Sequence, residues 1–424
     1  MNILIVGGGG REHAIALSLS SSKQNLKLFA APGNPGISKL AECVDIKADD
    51  ISKILSFAKD KGIEFAVIGP ELPLSLGIVD ELEKNDIKVF GPNEKCSQLE
   101  ASKSFTKAFL KKYNIPTAKY KVFSDKKSIE NNISSFGFPV VLKADGLAAG
   151  KGVIIAKNKN EALQGIDDLM NERKFGDAGK KILLEECLIG QEASLLCFVD
   201  GSAIIPMESA QDYKRIFDND KGSNTGGMGT YSPSKLFYKN DALLEKIRRK
   251  ILIPTFNGFK KEGLDFIGVL FVGLMLKGDD VRVIEFNNRF GDPEAQSVLP
   301  RLKTDLFEIM KAATENRLKD IDIKWSDKFT TTIVLAAKNY PATPEKGKVI
   351  RGLDFFSMKN FVNNTYIFHA GTDYDKNGDI VTNGGRVLGI TAFGNSFDES
   401  RENAYKSVAE ISFDGIQFRK DIGL

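Results

Sequence analysis

The sequence is poor in several residues from which active sites are commonly built. Its 424 residues include only four cysteines and two histidines. Cys43, Cys96, Cys187 and Cys197 show no C-x-x-C spacing, so neither a zinc cluster nor a dithiol pair is expected. Any metal should then be a hard cation held by oxygen ligands. An excess of one charge is also lacking. Lys and Arg total 59 against 56 Asp and Glu, a net of +3, too small and too evenly spread to form a nucleic-acid surface. Long apolar runs are absent. Phe266 to Leu276 is about half of what a membrane span needs, and Asn2 to Val6 is too short for a signal-peptide core. The chain is expected to be soluble and cytoplasmic, with no membrane and no nucleic-acid partner.

What is present is an ordinary globular composition, 42% apolar and 27% charged with 39 glycines. The length exceeds what one core sustains, so two to four subdomains are expected. At the start, strands over 2–6, 26–30, 65–69 and 87–90 alternate with helices near 11–22, 50–61, 75–85 and 94–112, the pattern of a doubly wound parallel sheet. Beyond residue 115 the strands become short and closely spaced, an α+β pattern interrupted by a helix near 159–171. A polar loop over 211–233 and a helix near 240–262 precede a hairpin of 266–276 with 281–286, turned by Lys277-Gly-Asp-Asp280. A last unit starts at the strand 330–337 and ends in a helix near 398–411. Boundaries are placed near 115, 190 and 328, giving units 1–115, 116–190, 191–327 and 328–424 of a mixed α/β and α+β multidomain fold.

Gly7-Gly-Gly-Gly-Arg-Glu-His13 follows a strand and opens a helix, where backbone N–H groups and the helix dipole favour an anion. The pattern G-x-G-x-x-G fails in every register, and the next strand ends in Ala31-Pro32 without a ribose-binding acid. A dinucleotide is thereby disfavoured. A phosphate-bearing substrate is one reading of this loop; the other is a tight turn with Arg11 and Glu12 solvated. Asn34-Pro-Gly36 and Gly69-Pro-Glu71 fall at strand ends on the same rim.

Lys143 ends an apolar strand and is followed by the small-residue loop to Lys151-Gly152, where a lysine and close backbone amides suit nucleotide phosphates. It is not a Walker A loop, since Asp145 and Gly152 stand where glycine and Ser/Thr are required. The alternative is a hairpin connection with a solvated Lys151. Ile182–Leu188 runs into Glu185-Glu186, with Glu192 soon after, and acids there suit an adenine amino group and ribose hydroxyls; a solvated strand end is the other reading.

The most specific stretch is Val281 to Glu294. With a period of two, Glu285, Asn287 and Arg289 share one strand face. A carboxylate and a carboxamide suit Mg²⁺, and Arg289 adds a fixed cation for a phosphoryl group. The alternative is a solvent-facing edge strand with an ordinary charge pair.

Together with Gln211–Arg215, Asn224–Gly229 and Arg289-Phe-Gly-Asp-Pro-Glu-Ala-Gln296, these segments resemble the phosphoribosylamine–glycine ligase family of the ATP-grasp class, in order from residue 1 to about 420. The resemblance implies a pre-ATP domain, a small ATP-binding lid, a catalytic domain and a C-terminal domain. It implies a monofunctional ligase joining glycine to 5-phosphoribosylamine, with ATP becoming ADP and phosphate through a glycyl phosphate, in purine biosynthesis. Glu285 and Asn287 match its Mg²⁺ (or Mn²⁺) ligands. Lys103, Lys143, Gly150, Lys151, Gly152, Glu185, Glu186 and Glu192 fall in its ATP site, and the loop Ala148–Gly152 is expected to close as a lid. Gly9, Asp212, Lys214, Arg289 and Asp292 match positions around its two other substrates, with Asp212, Arg289 and Asp292 as the catalytic set. A monomer or weak oligomer is expected. No acid on Leu270–Leu276 supplies a further metal ligand. Another acid–amine pair on the same fold, or a silent ATP sensor, are the rival readings.

Overall fold

The computed structural model describes residues 1–148, 152–170, 176–354 and 364–424. Its first sheet is built from five parallel strands, β1 (Asn2–Gly7), β2 (Lys27–Pro32), β3 (Glu42–Cys43), β4 (Phe65–Ile68) and β5 (Lys88–Phe90), in the order β3-β2-β1-β4-β5. The runs Ile3–Val6 and Phe65–Ile68 are buried throughout because helices cover both faces. The order reverses at β1, so its carboxyl end, where helix α1 (Gly10–Ser20) begins, is a crevice suited to a ligand. The strand Glu42–Cys43 was not legible in advance. Two residues carry no period.

The expected helix over 94–112 is two helices, Glu94–Ala101 and Lys103–Lys112. The break is made by Ser102, whose extended backbone lets its hydroxyl accept from the Phe105 N–H as an N-cap. That near 75–85 likewise divides into Glu71–Ser75 and Ile78–Glu83, separated by Gly77 in the left-handed region.

A second sheet is antiparallel, β6 (Tyr120–Phe123), β7 (Val140–Ala144), β8 (Val153–Ala156) and β9 (Ile182–Glu186), ordered β6-β9-β7-β8, with the helix Lys159–Met170 packed on it. A third begins with β10 (Gln191–Val199) and β11 (Ile204–Pro206). The stretch 211–233 is not a loop as expected. It contains β12 (Gln211–Asp212), β13 (Arg215–Phe217), β14 (Lys221–Asn224) and β15 (Gly229–Ser232), the last fully buried. Composition hid these strands, because they bury polar residues: the Ser232 hydroxyl donates to the Ser209 carbonyl and accepts from Arg301, and the Thr230 carbonyl accepts from the Ser297 hydroxyl, inside the protein instead of in water.

The helix near 240–262 is continuous but passes through a π turn at Arg248–Leu252. The hairpin β16 (Gly268–Lys277) and β17 (Asp280–Asn287) then completes the third sheet as β11-β10-β16-β17. β17 is the edge strand of this sheet, yet Thr117 bridges to Val283 and covers it. Finally β18 (Phe329–Ala336), β19 (Thr365–His369) and β22 (Arg386–Gly394) join β12 and β15 in one sheet, β12-β15-β18-β22-β19, beside the ribbon β20 (Thr372–Tyr374) and β21 (Ile380–Thr382). The segment around Asp212 is thus hydrogen-bonded into the last sheet, which brings Arg386 towards it. No helix among the described residues is long and apolar enough to cross a membrane.

Candidate active site

The loop after β1 is shaped around one carboxylate. A Cβ placed on Gly7 would lie 2.6 Å from Glu12 Cγ, and one on Gly69 2.0 Å from Glu12 Oε1. Glu12 Oε2 accepts the Gly9 N–H at 2.6 Å, and Oε1 accepts from Arg11 Nε at 2.5 Å. Both side chains are buried, so the expectation of a solvated Arg11 and Glu12 in a plain turn is overturned. The glycines leave a space that only this paired acid fills, and Gly9 is brought against Asp292, 3.6 Å from where its Cβ would stand.

On the nucleotide side, the lysines meet at the ends of β7 and β9. Lys143 and Lys107 each hold Glu185 Oε2 at 3.1 Å, and all three side chains are buried. Burial lowers the Lys107 pKa to about 8 against the pull of Glu185. Lys103 donates to the Gly146 carbonyl at 2.7 Å, and Asp145 accepts from the Ser104 N–H at 2.9 Å. These bonds tie the start of the small-residue loop to the helix Lys103–Lys112. Gly152 is described, with its carbonyl accepting the Ala144 N–H at 2.9 Å, whereas Gly150 and Lys151, and with them most of the expected lid loop, lie outside the described residues. Glu186 is engaged elsewhere: its Oε1 accepts from Arg282 at 2.8 Å and from the Lys119 N–H at 2.9 Å, joining the second sheet to the third.

Facing them, Glu285 and Asn287 are half-exposed and alternate with the buried Phe286 and Asn288. Burial raises the Glu285 pKa, but Lys214, Lys143, Lys103 and Arg289 outweigh it and hold the carboxyl below its usual value. Among the described residues no group of three or more His, Cys, Asp or Glu side chains could hold a metal. One carboxylate and one carboxamide nevertheless fit Mg²⁺, which keeps waters and takes phosphate oxygens instead of filling a protein cage.

The remaining predicted residues form the adjoining wall. Lys214 contacts Glu192 at 2.8 Å. Arg289 lies 3.1 Å from Glu100 and 3.6 Å from Glu71. Asp292 Oδ2 contacts Arg386 at 2.9 Å, and its Oδ1 accepts from Gln296 at 2.7 Å. Burial raises the Asp292 pKa, but Arg386 and Arg11 hold the carboxyl down. Asp212 behaves oppositely: burial, reinforced by Glu294, pushes its pKa well up, and its Oδ1 is buried without a hydrogen-bond partner. A partnerless buried carboxyl oxygen calls for a ligand donor.

Three profiles of one family match the chain in order: Phosphoribosylglycinamide synthetase, N domain, over 1–100, its ATP-grasp (A) domain over 101–295, and its C domain over 330–424. The chain belongs to the phosphoribosylglycinamide synthetase family. It is 46% identical over 422 residues to phosphoribosylamine–glycine ligase of Caldanaerobacter subterraneus subsp. tengcongensis, covering 100% of this chain and 99% of that one. The same enzyme of Neisseria meningitidis serogroup A is 44% identical over 423 residues, 100% and 98% of the two chains. The crystal structure of phosphoribosylamine–glycine ligase from Thermotoga maritima superposes with a TM-score of 0.85 at 32% identity, covering 100% of both chains. A biotin carboxylase domain from Hydrogenobacter thermophilus, solved with magnesium ADP, has a TM-score of 0.72 at 14% identity over 98% of this chain and 91% of that one, and shares the fold alone. The expected family, ATP-grasp fold and ATP-dependent ligase class are thereby borne out.

Several residues of this family member's cleft were not picked out beforehand. Arg386 follows Gly384-Gly385 and donates to the carbonyls of Asp292, at 2.6 Å, and of Gly226. Glu100 and Lys107 sit on helices that carry exposed charges as well, Lys95 on one and Lys111 and Lys112 on the other, so nothing local marks them. Glu294 was visible in the 289–296 octapeptide but received no role; Ser194 donates to it at 3.0 Å.

His13 and His369 form the joint between the first and last sheets of the phosphoribosylglycinamide synthetase fold. The His369 N–H donates to His13 Nδ1 at 2.8 Å, and Asn34 Nδ2 donates to the carbonyls of Gly8 and His369, each at 2.9 Å. Burial depresses both imidazole pKa values, that of His369 to about 3. Below the unfolded value near 6.5 the unfolded chain takes up protons that the native joint refuses, so stability is lost as pH falls. From pH 7 to 5.5 the two sites together should cost about 2.5 kcal/mol. Urea unfolding of wild type and His369→Asn at both pH values checks this: the variant should show about half of that decrement, and an unchanged one would contradict a neutral buried imidazole.

Proposed function

We propose that the chain joins glycine to 5-phosphoribosylamine, ATP becoming ADP and phosphate, at the cleft where Glu285 meets Lys103, Lys143, Lys214 and Arg289. The observation that carries the assignment is this gathering of cations around one carboxylate beside a hard carboxamide oxygen. Such a set suits a triphosphate with its divalent ion. Mg²⁺, or Mn²⁺, held by Glu285 and Asn287, supplies Lewis-acid polarisation of phosphate oxygens when bound.

The chain's own residues do the rest. Lys103 and Lys143 neutralise the nucleotide phosphates, with Gly150, Lys151 and Gly152 as the covering loop. Glu185, Glu186 and Glu192 take the base and ribose side; the Glu186 carboxylate also serves Lys119 and Arg282, and its N–H donates to the Lys119 carbonyl. Arg289 stabilises the charge that spreads as the glycine carboxylate attacks the γ-phosphoryl group in line. The sugar amine then displaces phosphate from the glycyl phosphate. Asp212, whose Oδ1 is buried without a hydrogen-bond partner, accepts the amine proton when ionised, while Gly9, Lys214 and Asp292 orient the substrates.

The same reading divides the chain at 115, 190 and 327 into pre-ATP, lid, catalytic and C-terminal units. It makes the protein a cytoplasmic monomer or weak oligomer without nucleic-acid partners. ADP release by purified protein with ATP, Mg²⁺ and freshly prepared phosphoribosylamine, with and without glycine, tests the assignment. ADP should form at rate only with both substrates present; glycine-independent release would remove the substrate assignment and leave nucleotide binding alone.

A further inference from the structure

Lys103 and Lys107 are four residues apart on one helix and therefore project from the same face. Their side chains part: Lys103 goes to the loop carbonyl of Gly146, while Lys107 goes to Glu185. Lys107 Nζ is fixed at a crossing of three elements. It donates to Thr117 Oγ1 at 2.7 Å, and Thr117 donates in turn to the Val283 carbonyl at 2.7 Å on the strand that carries Glu285. On its other side it holds Glu185 Oε2 at 3.1 Å, the oxygen that Lys143 also holds at 3.1 Å.

Two ammonium groups on one oxygen have a consequence for the other. Glu185 Oε1 is buried and has no hydrogen-bond partner among the described residues, and an ionised carboxylate can only accept. A buried acceptor of this kind is relieved by a ligand N–H and opposed by a ligand carbonyl.

We propose that Lys107 is a positioning residue for purine selection: with Lys143 it pins Glu185 Oε2, and so leaves Oε1 as a fixed acceptor that takes a 6-amino purine and rejects a 6-oxo purine. This rests on the reading of Glu185 as the acid facing the nucleotide base. Lys107 itself touches no substrate. Lys143 alone, itself assigned to the nucleotide phosphates, would leave the carboxylate free to turn, so that Oε1 would no longer be held in one place as the acceptor.

The test compares kcat/KM for ATP and inosine triphosphate, which differ at the 6-position, in wild type, Lys107→Met, Lys107→Arg and Glu185→Gln. Wild type should prefer ATP by about 100-fold or more, as buried polar complementarity does. In Lys107→Met the preference should fall at least about tenfold, mostly through a higher KM for ATP, and Lys107→Arg should restore most of it. An equal loss for both nucleotides, which a merely structural role produces, would overturn the proposal. If Glu185→Gln lowers the preference and Lys107→Met does not, Lys107 alone is misassigned; if neither does, the base-side reading of Glu185 fails first. Should Lys107→Met not fold, Thr117→Val keeps the ammonium but removes its second anchor and should lower the preference in the same direction, with an unchanged ratio again overturning the proposal.

Discussion

Replacing Glu285 by glutamine should lower the rate of ADP formation by about 10³-fold, roughly 4 kcal/mol of transition-state stabilisation. The side chain keeps its size and one oxygen but loses the carboxylate charge on which Lys103, Lys143, Lys214 and Arg289 all act. Two effects act in the same direction. The hard-oxygen set loses its anion, so divalent-ion affinity in the presence of ADP should fall, which calorimetry reads independently of turnover. The cations also lose their shared counter-charge, so the ligand-free variant should melt at a lower temperature and regain more of the loss on binding ATP than wild type does. A rate within tenfold of wild type at saturating Mg²⁺ would remove Glu285 from the metal-binding role.

The second large effect concerns stability. Arg289 is a poor candidate for a freely moving catalytic cation, since it is held between Glu100 at 3.1 Å and Glu71 at 3.6 Å in a largely buried setting. Substitution by methionine, which keeps bulk but removes charge, leaves two acids facing one another with Arg11 as the remaining counter-charge. Removing one partner of such a buried group costs about 3–5 kcal/mol, to be read from urea unfolding at pH 7. The pH dependence gives a second handle. Burial already raises the Glu100 pKa with the arginine present, whereas Arg289 and Arg11 outweigh burial and hold Glu71 below its usual value; without Arg289 both folded-state values rise. A raised folded pKa adds stability below the unfolded value near 4.3 and loses it as pH rises through the folded value. The penalty of Arg289→Met should therefore shrink between pH 7 and pH 5. A penalty below about 1 kcal/mol at pH 7 would show that Glu71 and Glu100 are solvated when the arginine is gone.

The same arginine explains why the cleft was only partly legible from sequence. Glu285 and Asn287 were readable because the period of a strand puts alternate residues on one face, and polar groups there interrupt an apolar pattern; Arg289, expected on that same strand face, lies two residues beyond the strand's end at Asn287, where the chain bends. Lys143 and Glu185 were readable because each ends an apolar strand. Glu100 and Lys107 carry no such mark, since each lies on a helix that is polar anyway. Glu71 was read only as part of a strand-end turn, and Arg386 merely opens an apolar strand; all four become cleft residues only when another element closes against them. The strands of 211–233 were missed for a related reason: Thr230 and Ser232 are buried against segments outside their own sheet, the Ser232 hydroxyl bonding to the Ser209 carbonyl and the Thr230 carbonyl to the Ser297 hydroxyl, and a hydrophobic pattern does not register burial of that kind.

By itself the sequence determined the parallel first sheet, the polar face of the strand ending at Asn287, the failure of dinucleotide and Walker patterns, and the family, because these depend on residue order and on spacing within single elements. Tertiary structure alone decided that Glu12 is enclosed by Gly7, Gly9 and Gly69, that Arg386 reaches Asp292, and that Lys107 and Lys143 converge on one oxygen of Glu185. The physical reason is that a buried charge is tolerated only with a partner, and these partners lie in segments far apart along the chain whose meeting no local period encodes.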